Sequence, residues 1–172
     1  MMKLKVIIVV VALSLAALLG LVGYDLSKMD TETIVLCSSN EGGILIPSKI
    51  CKYYLFNYRD IKKDVSELSD GAGLSYILNG SNNVKYEIAE YFISNGLDVN
   101  GINNYGEYNL TPIYGAILLN DVKMANFLLH HGADQSLEPP SIHMSAQEFC
   151  QFLQGKDSSV DRGEMLSILA NN

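Results

Sequence analysis

The sequence contains no stripe of basic residues, no glycine-rich loop of the phosphate-cradling or dinucleotide-binding kind, and no set of cysteine, histidine and carboxylate side chains at ligand spacing. Each absence removes a class of function. Nucleic-acid binding needs basic groups to neutralise phosphates, yet Lys49, Lys52, Arg59, Lys62 and Lys63 are interleaved with Asp60 and Asp64. Gly71-Ala72-Gly73 lacks a following helix signature and reads as a turn. His130 and His131 are adjacent, so on a helix their side chains diverge by about 100° and cannot hold one metal together. His143 sits in the Pro139-Pro140 loop without a ligand partner at suitable spacing. No catalytic residue, cofactor, metal or small-molecule substrate is therefore expected, and the chain is not expected to be an enzyme.

Acid is absent from the first 23 residues. Lys3 and Lys5 precede Val6 to Gly23, a run of 18 residues in which Ser14 is the only polar side chain. Such a segment is an export signal. No Ala-x-Ala follows it and no cysteine ends it, so neither a clear cleavage site nor a lipoprotein attachment is present. An 18-residue helix spans about 27 Å, close to the roughly 30 Å of a bilayer core. Two readings stand: an anchor that stays, or a signal that is cut. With lysines before the run and Asp25, Asp30 and Glu32 after it, the rest of the chain lies outside the cytoplasm.

Export gives the three cysteines a new meaning. Cys37 and Cys51 flank a 13-residue loop containing glycine and are expected to form a disulfide in an oxidising compartment, whereas Cys150 falls in a helical pattern as a core residue. The residues after Gly23 carry 10 basic and 19 acidic groups, a surface suited to a basic protein partner.

An internal repeat organises what remains. Lys85 to Asn100 aligns with Asp121 to Ser136 at an offset of 36, pairing Ala89 with Ala125, Phe92 with Leu128, Gly96 with Gly132 and Asp98 with Asp134. Ile88, Ala89, Phe92 and Ile93 share one helix face, as do Met124, Ala125, Leu128 and Leu129. Gly96 and Gly132 stand where a helix cap wants positive φ. Ahead of the second window, Thr111 can cap a helix that Pro112 begins.

Thr111-Pro112-Ile113-Tyr114 together with Leu128-Leu129-His130-His131-Gly132-Ala133-Asp134 resembles the ankyrin repeat. Tyr114 replaces the family's histidine, so the bond that histidine exchanges with the opening threonine is not expected. The resemblance implies an all-α ankyrin-repeat solenoid of about four helix pairs with short β-hairpin loops, behind an N-terminal apolar helix. The divisions are 1–23, signal peptide or anchor; 24–45, linker or extended arm; and 46–171, repeats at about 46–73, 74–106, 107–139 and 140–171. The ends are degenerate, as solenoid ends are.

The three residues beyond the family's period enlarge the loop from Asp98 to Asn109. Ankyrin proteins bind partners through hairpin tips and first helices, which makes Asn103, Asn104, Tyr105, Glu107, Tyr108, Asn109 and Tyr114 the candidate partner-binding residues. Tyr76 and Tyr114, near the starts of first helices, either add to that face or pack between repeats. The chain is similar to exported bacterial ankyrin-repeat immunity proteins that guard the periplasm against secreted type VI phospholipase effectors. That resemblance implies a partner that is a toxin or effector, neutralised by occlusion, and a periplasmic location with residues 6–23 in the inner membrane if uncleaved. The alternative is an envelope adaptor or scaffold for an endogenous enzyme such as a catalase.

Overall fold

The computed structural model describes residues 2–171, with side chains from Lys5 onward. The described residues are helical with no strand, and they form two compact units divided between Arg59 and Asp60. The division falls inside the expected first repeat at 46–73.

In the first unit, α1 (Met2–Lys28) is one unbroken helix, long and apolar enough to cross a membrane. It runs past Gly23, so the expected boundary at residue 23 is not a structural one. Residues 24–45 are not a linker or extended arm either, because α2 (Thr31–Ser38) occupies their centre. A cap at its start and burial of one face make it a helix. The Asp30 carboxylate accepts from the Thr33 amide at 2.7 Å and caps α2, while Ile34, Val35 and Cys37 are buried. α3 (Ser48–Tyr58) packs on α2 through Cys51 and Leu55, both fully buried, and a disulfide joins Cys37 to Cys51.

The second unit is a two-layer stack of helix pairs. After α4 (Ile61–Asp70) come α5 (Leu74–Leu78) with α6 (Val84–Ser94), α7 (Pro112–Leu119) with α8 (Val122–His130), and α9 (Ala146–Lys156) with α10 (Gly163–Ala170). The first helices of the pairs form one layer, α7 touching both α5 and α9, and α8 meets α10 in the other. The 36-residue offset is visible in the packing. Ile88, Ala89 and Phe92 of α6 are buried, as are Met124, Ala125 and Leu128 of α8.

Both helices stop in the same way. Gly96 and Gly132 have φ of 100° and 87°. The Leu97 amide reaches the Phe92 carbonyl and the Ala133 amide reaches the Leu128 carbonyl. These six-to-one closures need the positive φ that glycine adopts freely. Two contacts tie the pairs together: Lys85 and Asp121, equivalent positions 36 residues apart, approach to 3.8 Å, and the Asn100 side-chain oxygen accepts from the Asp134 amide at 2.8 Å.

The expected β-hairpins are absent among the described residues. The connecting segments satisfy their amides through side chains instead. Asp98 accepts from the Asn100 amide, Asn103 from the Tyr105 and Gly106 amides, and Asp134 from the Ser136 amide, leaving the Asn103 amide to Leu110 carbonyl bond as the tie across the large loop. Short polar side chains that bond the backbone two or three residues on compete with a strand ladder.

Candidate functional site

The enlarged loop between α6 and α7 is built by its asparagines. Asn103 closes the turn that carries Tyr105 and Gly106, and Asn109 takes a left-handed φ of 48°. Asn104 is committed to the scaffold: its backbone amide donates to the Gly71 carbonyl at 3.0 Å, and its side-chain amide donates to the carbonyls of Ser69 and Asp70. Those are orphan carbonyls at the end of α4, which a side-chain donor satisfies. Asn103 and Asn104 thus hold the loop in place, Asn104 while itself exposed.

Ile102, Asn104, Tyr105, Glu107, Tyr108 and Asn109 are exposed on the loop, with Tyr105 71% and Tyr108 55% exposed. The Tyr105 ring lies across Gly71, where a Cβ would come within 2.9 Å of its hydroxyl. Tyr108 is tied at its backbone, its carbonyl accepting from the Ser141 hydroxyl at 2.5 Å. Large rings on a pinned loop offer contact area with little entropy left to lose.

Tyr114 is not part of this surface. It is fully buried, and its hydroxyl sits 2.7 Å from the Leu137 carbonyl and 2.6 Å from the Met144 carbonyl, sharing its single hydrogen between them. Burial, with Glu138, Glu148 and Asp134 nearby, pushes its pKa up to about 12. It is a neutral strut between α7 and the segment leading into α9. Because its hydroxyl points there, Thr111 loses the partner a histidine would supply: the Thr111 hydroxyl is buried without a hydrogen bond and does not cap α7.

A groove of about 230 Å³ lies beside the loop. Its lining includes Tyr108, Asn109 and Leu110 of the loop, Ser75 of α5 and the following Asn79, and Leu118 and Leu119 of α7. Leu118 and Leu119 are 50% and 64% exposed, although they end a helix whose other face is core. Sequence reasoning passed over these two leucines. The signal was there in Pro112 to Leu119, eight residues with no charged side chain and only a tyrosine hydroxyl for polarity, which leaves an apolar side facing out.

The charge is unevenly placed. Residues 60–172 hold six basic and fifteen acidic groups, whereas residues 1–59 hold six basic and four acidic ones. The acidic excess therefore belongs to the unit that carries the groove. Among the described residues no three His, Cys, Asp or Glu side chains gather as a metal site. Burial raises the Cys150 pKa against the opposing pull of Arg162, so this thiol stays protonated at neutral pH.

One curated protein is similar over part of the chain. It is the palmitoyltransferase AKR1 of Lachancea kluyveri, 35% identical over 78 residues. That stretch is 45% of this chain and 10% of the relative, so the chain spans a small fraction of that protein's length. No family model matches the chain, and no solved structure does.

Proposed function

We propose that residues 60–171 are an ankyrin-repeat binding module in the cell envelope, and that the chain is an immunity protein neutralising a secreted phospholipase-type toxin by covering its active site. The stacked helix pairs with repeated glycine caps support the ankyrin reading, as does similarity to a relative that carries ankyrin repeats. The apolar N-terminal helix supports export. What carries the binding reading is the placement of Tyr108, Leu118 and Leu119 around one groove, with Tyr105 and Glu107 on the same loop.

Occlusion asks for shape and contact area, about 800 Å² on each partner, and for no catalytic group. Exposed aromatic and leucine side chains serve as anchors for such a contact. An acidic face steers a basic partner and raises the association rate.

The test is affinity capture from envelope fractions with the full chain, followed by identification of the retained protein. A lipase-like toxin, retained by the wild type and lost at least about tenfold from a Tyr105→Ala, Glu107→Lys, Tyr108→Ala, Leu119→Ala variant of unchanged helicity, is the expected result. Equal retention by wild type and variant overturns the groove. Retention of a resident envelope enzyme in place of a toxin replaces immunity with the adaptor reading.

A further inference from the structure

The groove beside the large loop is lined in part by a glycine that the fold itself does not require. Gly115 lies in the middle of α7 and belongs to the lining. Glycine weakens a helix interior relative to alanine, so its presence there needs a cause. Two ordinary causes are missing. Its φ is not positive, and its amide keeps the helical bond to the Thr111 carbonyl at 3.3 Å. No neighbouring element crowds it either. Among the described residues, a Cβ built at Gly115 meets nothing within 4 Å apart from its chain neighbours and its own helix backbone. The bare backbone keeps open a space that any other residue would fill.

The rest of the lining says what that space suits. Leu118 and Leu119, at least half exposed on the same helix, and Tyr108 of the loop offer apolar surface. Glu107 is the one charged side chain of the lining, and no lysine, arginine or histidine joins it. The six basic residues of the unit all lie elsewhere, while its acids number fifteen. At about 230 Å³ the groove falls below the roughly 300 Å³ at which pockets for whole small molecules begin. It has the scale of one bulky side chain.

We infer that Gly115 is the floor of a subsite seating one leucine- or phenylalanine-sized side chain of the partner protein, with a lysine or arginine next to it in the partner meeting Glu107. This rests on the groove being the partner-binding surface. The apolar side chain is buried against Leu118 and Leu119, and its neighbour must be a cation, because an acid there is repelled by Glu107 and by the charge of the whole unit. Gly115 then sets which side chain the groove accepts.

The probe is N-acetyl-leucyl-arginine amide, added to the full chain held in zwitterionic nanodiscs with isotope-labelled leucine methyl groups. The expected result is saturable shifts of the Leu118 and Leu119 methyl signals, with a dissociation constant on the order of a millimolar. N-acetyl-leucyl-glutamate amide and N-acetyl-glycyl-arginine amide bind at least about threefold more weakly, the first for its charge and the second for its missing side chain. Gly115→Ala raises the thermal midpoint yet weakens the first peptide at least about twofold. Gly155→Ala, at an equally open glycine of α9 outside the groove, leaves its affinity unchanged. Gly115→Leu abolishes the shifts with unchanged far-UV circular dichroism. Absence of saturable shifts at Leu118 and Leu119 overturns the subsite, as does a control peptide that binds as tightly as the first. A lowered midpoint in Gly115→Ala overturns it too, because the glycine then serves the fold, and so does an unchanged affinity. The immunity reading fails separately: a chain that seats the peptide in the groove yet retains no toxin from envelope fractions keeps the subsite and loses that role.

Discussion

The two units solve the problem of a small core in different ways. Residues 1–59 place two short helices together and lock them with a covalent bond between Cys37 and Cys51. Residues 60–172 use no cross-link and rely on repetition, each helix pair covering the apolar face that its neighbour leaves open. Stability in the second unit is shared along a row, so a defect in one pair weakens the pairs beside it. Stability in the first is concentrated in one bond.

The largest separation between the units comes from Phe92→Ala. Phe92 is fully buried in α6, and removing a buried phenyl ring costs about 3 to 5 kcal/mol. Hydrogen exchange of the full chain should show α5 to α8 losing protection together while α2 and α3 keep theirs. Retained protection in α7 and α8 would mean that the pairs fold independently, which breaks the account of shared stability.

The converse perturbation is Cys37→Ser with Cys51→Ser. Closing a loop of this size stabilises by about 3 kcal/mol, all of it in the first unit. Deprotection confined to α2 and α3 is the expected exchange pattern. Spread of the effect into α6 or α8 would show that the second unit depends on the cross-link.

Legibility from sequence follows the same division. The central helices of the second unit were readable because of their punctuation, Pro112 at the start of α7, a capping Asp121 before α8 and glycines with positive φ after α6 and α8, and because one window repeats another at 36 residues. α2 was not readable, since Thr31 to Ser38 is rich in β-branched residues and too short to display a helical period. Only Asp30 marks its start, and its reason to be helical is the surface of α3. The partner-binding residues divide likewise. Tyr105 and Tyr108 follow from the enlarged loop, whereas the burial of Tyr114 depends on carbonyls of Leu137 and Met144, more than 20 residues away in the chain. Leu118 and Leu119 look like core residues until the helix is seen to end before it can bury them.

The smallest effect tests how finely repetition is tuned. Tyr114 stands where the resembled family has histidine, and the consequence is an orphaned Thr111 hydroxyl inside the second unit. A buried hydroxyl without a partner costs about 1 to 3 kcal/mol relative to one that is satisfied, and valine fills nearly the same volume without that cost. Thr111→Val should therefore raise stability by up to about 1 kcal/mol, seen as a shift of the denaturation midpoint with unchanged slope. Tyr114→His in the same position of α7 should act differently. It returns a partner to Thr111 but removes the donor from the Leu137 and Met144 carbonyls, so it should destabilise wild type and destabilise Thr111→Val further. If the two changes prove additive, Thr111 and residue 114 are not coupled, and the mispairing is a local defect rather than a trade of one hydrogen bond for another.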